Sequence, residues 1–384
     1  MTKLGEEAEE QEEGSTCPIE QLPDEVLSIV LHFLPIRQRI RVERVSRRWR
    51  QLLLRGGGWT QQRSLRYSSF VEDADATDVP SWLRLYHDAR VPLLFCPFSW
   101  PYSRPPGIMP MDWRETAVRL LGFKLQGCMG DEEEETRLEV LRLSTERMSA
   151  VLRRSCGALR SVNLNGFSYV LHPRIVGPLT QWAPHLSKLS LDGVCLTKDS
   201  LTTIGAAFPK LNSLSLSYCF SNGGADIECG LETLFGGRLA STLRFLDLSS
   251  NVYLDGAHCF GRLPEGLRYL RLDTCWHLSA DAYLLVGKRC GSRLTCLSIN
   301  DSCVTPPVLL KMLEQLDGLE ELFFAFCRWD QQVSGDSAEA QRFGEILASK
   351  RHLRKLVIDD NLYANDKASP TVEQRTSTHS GCLP

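Results

Sequence analysis

The sequence predicts an α/β fold in which a small N-terminal module of three helices precedes a curved solenoid, with parallel strands inside and helices outside. Three observations carry that expectation. One apolar frame recurs eight times, segments of helical periodicity separate successive frames, and three short apolar stripes lie ahead of them.

The frame is LxxLxL, followed after two intervening residues by Asn, Cys or a small or apolar residue. It occurs as Leu159, Val162, Leu164; Leu186, Leu189, Leu191; Leu211, Leu214, Leu216, Cys219; and Leu243, Leu246, Leu248, Asn251. It continues as Leu267, Leu270, Leu272, Cys275; Leu294, Leu297, Ile299; Leu319, Leu322, Phe324, Cys327; and Leu353, Leu356, Ile358, Asn361. A single frame could arise in any amphipathic segment, but eight in order, with starts 24 to 34 residues apart, define a repeat. A fragment from Leu138 to Arg153, behind the acidic run Glu132 to Glu135, reads as a worn first repeat.

Between frames, segments such as LTKDSLTTIGAAF from Leu196 place Leu201, Ile204 and Phe208 at three- and four-residue steps, the signature of a helix face. Each repeat is therefore a short strand plus a helix, and neither element can bury its apolar side alone. Stacking of neighbours follows, with successive strands forming one parallel sheet and the helices an outer ring. Asn or Cys after the strand suits the turn, where it can hydrogen-bond backbone groups left without sheet partners.

At the N-terminal end, Leu22-Pro23 precedes Asp24, placed to cap a helix whose apolar positions Val26, Leu27, Val30, Leu31 and Leu34 form one stripe. Pro35 ends it. Ile36 to Glu43 makes a second short helix, and Val45, Trp49, Leu52 and Leu53 mark a third. Helices this short bury little surface by themselves, which leaves apolar side chains for a partner. The chain thus divides into an acidic tail over 1–16, the helical module over 17–60, a Pro-rich and aromatic linker over 61–135, repeats over 136–364 and a polar tail over 365–384. The linker is expected to pack on the first repeats and to hold a short helix from Trp113 to Phe123, and both tails are expected to be disordered.

Composition narrows the function. A formal net charge of -3 over 384 residues gives neither the positive field of a nucleic-acid binder nor the like-charge excess of a solvating tail. Seven arginines between Arg37 and Arg50 are spread around helices without interleaved stacking aromatics, so no nucleic-acid partner is expected. No stretch approaches the roughly 20 apolar residues needed to cross a bilayer, and the opening MTKLGEEAEEQEEGS carries acid where a secretory signal would be apolar, so a cytoplasmic or nuclear protein without a membrane partner is expected. Cys382 lies too close to the last residue for prenylation. The fourteen cysteines are read as free thiols, and Cys290, Cys296 and Cys303 lack the adjacent histidine of a zinc site. His87, His172, His185 and His277 have no Ser, Cys or Asp at catalytic spacing, and no glycine-rich phosphate loop occurs. No catalytic residue, metal or cofactor is expected.

The N-terminal segment resembles the F-box: Leu22, Pro23, Ile29, Leu34, Val45, Arg48, Trp49 and Trp59 meet its pattern of Leu-Pro, an apolar helix, a Val with Arg-Trp after it, and a later Trp. Together with the repeats, the chain resembles the F-box/leucine-rich-repeat class over most of its length. One departure is that the pattern's Asp-Leu before the second helix reads Gln38-Arg39-Ile40, which keeps the apolar residue and loses the acid. The resemblance implies a non-catalytic substrate receptor of an SCF ubiquitin ligase. Leu22, Pro23, Ile29, Leu34, Val45 and Trp49 would bind the Skp adaptor, and through it a cullin and a RING subunit. A leucine-rich-repeat scaffold acting outside ubiquitination is the alternative.

Residues alternating with the strand leucines face the inner side of the arc. Early repeats place small polar groups there, whereas later ones present Phe245, Tyr269, Arg271, Asp273 and Phe323, with Trp276 and Trp329 at the rim. Aromatics and arginine dominate binding energy at protein interfaces, so these seven are the candidate contacts for a protein substrate. The competing expectation is that the aromatics pack on one another or on the C-terminal tail.

Overall fold

A computed structural model describes residues 18–55, 59, 62–66, 145–155, 157–165, 171–220, 224–325 and 338–358. Both expected tails, most of the Pro-rich stretch, including the helix expected from Trp113 to Phe123, and Trp329, Cys327 and Asn361 lie outside the described residues. The chain divides into two compact units, residues 1–61 and 62–384.

The first unit opens with a 3-10 turn, Pro18–Gln21, followed by α1 (Asp24–His32), α2 (Ile36–Val42) and α3 (Arg47–Arg55). Pro23 and Pro35 occupy the N-cap positions of α1 and α2, where a missing N–H is no loss. Asp24 was expected to cap α1, but it is the first helical residue. Its carboxylate accepts instead from Arg48 Nε on α3, at 2.9 Å. Leu27, Leu31, Ile36, Leu53 and Trp59 form the buried apolar set of this unit.

The second unit is a curved α/β solenoid built on a parallel sheet in sequence order, with nine strands among the described residues. Its strands are β1 (Ser64–Arg66), β2 (Ser161–Asn163), β3 (Lys188–Ser190), β4 (Ser213–Ser215), β5 (Phe245–Asp247), β6 (Tyr269–Arg271), β7 (Cys296–Ser298), β8 (Glu321–Phe324) and β9 (Lys355–Ile358). Register pairs Leu65, Val162, Leu189, Leu214, Leu246, Leu270, Leu297, Leu322 and Leu356 across successive strands. All but Leu356 are buried, so one row of side chains runs through the sheet. Each fully buried leucine contributes about 1.5–3 kcal/mol relative to exposure, and only stacking achieves that burial.

The first rung corrects the sequence reading. Ser64–Arg66 falls in the stretch expected to be irregular linker, yet it pairs with β2. The fragment from Leu138 does not supply the strand next to β2. Residues 145–154, its described part, form helix α4. β1 carries a single leucine, Leu65, in place of the full frame, which is why the frame search passes over it.

Outer elements follow the strands: α5 (Val176–Trp182), α6 (Lys198–Ala207), α7 (Ala225–Gly236), α8 (Leu239–Thr242), a 3-10 turn at Cys259–Arg262, α9 (Ala280–Cys290), α10 (Pro306–Glu314) and α11 (Ala338–Ser349). Thr197 and Ser279 cap α6 and α9 by accepting from the amides of Ser200 and Ala282. α6 and α7 approach closely because Gly230 has no side chain: a Cβ there would stand 2.9 Å from Leu201 Cδ1 and 3.1 Å from the Lys198 Cα. The buried Glu228 of α7 accepts from Gly256 N at 2.8 Å and Cys259 N at 3.3 Å, joining its repeat to the next.

Three residues beyond β3 to β7, the chain turns through a left-handed residue in each repeat: Gly193, Tyr218, Ser250, Thr274 and Asp301. Their amides donate to Ser217, Ser249, Asp273, Asn300 and Ala325 of the next rung, which extends the ladder past the strands. The four non-glycine residues hold that backbone at about 1–3 kcal/mol each, offset by the repeated bond.

Inside the turn after β5, Asn251 is fully buried and makes four hydrogen bonds. Its Oδ1 accepts from Cys219 N and Phe220 N at 2.8 and 2.9 Å, and its Nδ2 donates to Leu216 O and Leu248 O at 2.9 and 2.7 Å. At the same frame position, the thiols of Cys219 and Cys275 donate to Leu191 O and Leu248 O, each at 3.2 Å. Burial raises both thiol pKa values well above the ordinary range, so they remain protonated donors.

Candidate partner-binding surfaces

On the first unit, α1 has two apolar sides. Leu27 and Leu31 face the core, while Val26, Ile29, Val30 and Phe33, spaced one, four, five and eight along the same run, lie exposed. Ile29 is 60% exposed, Phe33 81% and Val45, in the turn before α3, 69%. Of the six residues expected to meet an adaptor, Pro23, Ile29 and Val45 are exposed and Leu22, Leu34 and Trp49 half-buried. Val26, Val30 and Phe33 were not among them. The sequence merged Val26 and Val30 with the core stripe, because a helix with two apolar sides reads as one broad stripe.

Beneath that face, polar groups fix the helices. Arg48 Nη2 donates to Leu22 O at 2.5 Å and pairs with Asp24 at 2.7 Å, tying α3 to the Leu-Pro corner. Arg39, where the family pattern has an acid, is buried. Its Nε donates to Leu34 O at 2.7 Å and its Nη2 to His32 O at 2.5 Å, so it satisfies carbonyls at the end of α1. Its guanidinium also lies 6.0 Å from the Trp59 ring, and Trp59 Nε1 donates to Glu43 Oε1 at 3.0 Å. Burial lowers the Arg39 pKa. The loss of the acid at this position thus accompanies an arginine that acts as an internal brace.

On the second unit, the inner sheet face changes character along the arc. In the early repeats the polar side chains satisfy one another: Ser190 bonds Asn165, and Asp192 Oδ1 accepts from Ser215 Oγ at 2.6 Å and Ser217 N at 3.1 Å. From β5 onward, larger groups stand on the sheet. Phe245 and Tyr269 are register partners with ring centroids 6.2 Å apart, and Tyr269 is 42% exposed. One row along, Arg271 lies between two carboxylates, 3.5 Å from Asp247 and 3.2 Å from Asp273. Asp273 in turn accepts from Ser298 Oγ at 2.6 Å and Asn300 N at 2.8 Å, which fixes its carboxylate. Burial raises the Asp247 pKa, with Arg271 opposing the shift.

Four of the seven expected substrate contacts, Phe245, Tyr269, Arg271 and Asp273, therefore come together on β5, β6 and the turn after β6. Phe323 is two strands away, its ring 4.8 Å from Lys355 Nζ. Trp276 is half-buried in the loop after β6, off the strand rows, and Trp329 is outside the described residues. Sequence reasoning missed Asp247 and Lys355 as partners of the aromatic and arginine set, although both alternate with strand leucines, Leu246 and Leu356.

No group of His, Cys, Asp and Glu among the described residues could hold a metal ion, and no described helix is long and apolar enough to cross a membrane.

Residues 19–62 match the F-box-like family, so the chain carries an F-box-like domain over its three N-terminal helices. No curated protein matches the sequence. Among solved structures, the chain is similar to one in a TLR13–ssRNA13 complex, with 14% identity and a TM-score of 0.34 over 54% of this chain and 33% of that one. It is also similar to one in the Rad7–Elc1 complex of yeast, with 20% identity and a TM-score of 0.35 over 56% of each chain. The chain's match thus spans a third of the first and just over half of the second.

Proposed function

We propose that this chain is the substrate-recognition subunit of an SCF ubiquitin ligase. Its F-box-like domain binds the Skp adaptor through Leu22, Pro23, Ile29, Leu34, Val45 and Trp49, joined by Val26, Val30 and Phe33. The solenoid holds a protein substrate through Phe245, Tyr269, Arg271, Asp273 and Phe323, with Trp276 and Trp329 as further contacts. The observation that carries the reading is the coincidence of the F-box-like match at 19–62 with an outward apolar side on α1 that its own unit does not cover.

Ubiquitin transfer then takes place on the cullin-bound RING and E2 subunits, and this chain contributes proximity. Holding a substrate lysine beside an activated thioester raises its effective concentration without a catalytic group of its own. Degradation of the substrate by the proteasome follows.

Affinity capture of the tagged chain tests the reading. Adaptor and cullin are expected with the native chain, and neither with the Leu22→Ala, Pro23→Ala pair or with Phe33→Asp. Capture of the substrate set without any adaptor would replace the ligase reading with that of a repeat scaffold outside ubiquitination.

A further inference from the structure

The outward side of α3 carries Arg47, Arg50 and Arg55, with Gln51 and Leu54 between them, all exposed. Arg47, Arg50 and Leu54 share one face by their spacing of three and four. Arg41 on α2 and Arg44 in the turn before α3 are exposed as well. None of these five guanidinium groups has an ion-pair or hydrogen-bond partner among the described residues. Five like charges in fifteen residues repel one another, and an anion placed over them would relieve that repulsion.

The chain itself carries a candidate anion a short way upstream in sequence. Arg48 Nη1 donates to Glu20 O at 2.5 Å and Nη2 to Leu22 O at 2.5 Å, so the entering turn Pro18–Gln21 is held against the start of α3. Of the eight residues from Glu6 to Glu13, six are glutamate. Glu13 stands five residues before Pro18, within about 17 Å of it even when extended.

We propose that the arginine face of α3 is a docking site for the chain's own acidic segment, Glu6–Glu13. A single exposed ion pair contributes little. Six carboxylates on a short tether act together at an effective concentration in the millimolar range. The docked segment screens the arginines from other polyanions. This inference does not depend on adaptor binding and can hold whether or not the chain joins a ligase.

Heparin, as a generic polyanion, reads the screening on the full chain. Replacing Glu6, Glu7, Glu9, Glu10, Glu12 and Glu13 by Gln should tighten heparin binding about tenfold at low salt. A control removes the same number of charges elsewhere, with Asp131→Asn and Gln at Glu132, Glu133, Glu134, Glu135 and Glu139, and should change affinity by less than about twofold. In a background of Arg47→Gln, Arg50→Gln and Arg55→Gln, the gain from the first set should vanish. Equal tightening by both acidic sets would show a bulk-charge effect and overturn the proposal. So would no tightening, tightening by the control set alone, or a gain that survives loss of the arginines.

Discussion

Replacing Asn251 by Ala removes the acceptor for Cys219 N and Phe220 N and the donor to Leu216 O and Leu248 O, all in a turn closed to solvent. Leu248 O keeps the Cys275 thiol at 3.2 Å, so three backbone groups are left unpaired. At about 1–1.5 kcal/mol for each buried orphan, with a small cavity in addition, the expected loss is about 4 kcal/mol. Asn251→Cys should recover about 1 kcal/mol of it, because a thiol at this position can donate to one carbonyl. Since each repeat touches only its neighbours, a global melt will blur the effect. Hydrogen exchange resolves it, with protection lost at the amides of Cys219 and Phe220 while those of α10 exchange as before. Unchanged protection at the two amides would refute the reasoning.

Asp247→Asn tests the inner carboxylates. Burial raises the folded pKa of Asp247, so the folded state takes up a proton as pH falls and the native chain gains stability toward the unfolded value of 3.8. The asparagine variant should be at least as stable at pH 7 in a thermal melt, with its advantage shrinking toward pH 5. A less stable variant at pH 7 would mean that the pair with Arg271 outweighs desolvation. Maleimide mapping should label Cys195, Cys229 and Cys303, which are exposed, well before Cys219, Cys275 and Cys290. Burial pushes the Cys290 thiol up to about 12, and labelling of these three at native rates would contradict their placement. Gly230→Ala should separate α6 from α7 and lower stability by about 1–3 kcal/mol, and a variant as stable as the native chain in urea would show that the helices yield without strain. Tyr269→Ala should leave the melt nearly unchanged and remove proteins from affinity capture while adaptor stays bound; an unaltered set of partners would take Tyr269 out of the substrate surface.

The repeats were legible because burial selects leucine at fixed spacing, and the strand leucines from Leu189 to Leu322 stand where the frame places them. Leu201, Ile204 and Phe208 marked α6 for the same reason, whereas its cap, Thr197, was not read from the sequence. β1 was not legible, since one leucine in three residues leaves no period to detect and its partner lies far along the chain. Nor was the outward side of α1, because Val26 and Val30 look in sequence like neighbours of Leu27 and Leu31. Only the rotation of the helix against α3 separates the two. Arg39 reads as a departure from a pattern until the carbonyls of His32 and Leu34 are seen to need a donor. Among the inner-face residues, the row of types could be read from alternation, but the clamp of Arg271 between Asp247 and Asp273 depends on the register of two strands.

The sheet's first rung is stitched to its second by Arg63, whose Nη1 donates to Ala158 O across 95 positions of sequence. Closing so long a span, against the 24 to 34 residues between later rungs, adds about 1 kcal/mol of chain entropy. The solenoid therefore has a weak hem at its start: warming or mild urea should unpick Ser64–Arg66 first, while the middle rungs, with neighbours on both sides and short returns, let go last.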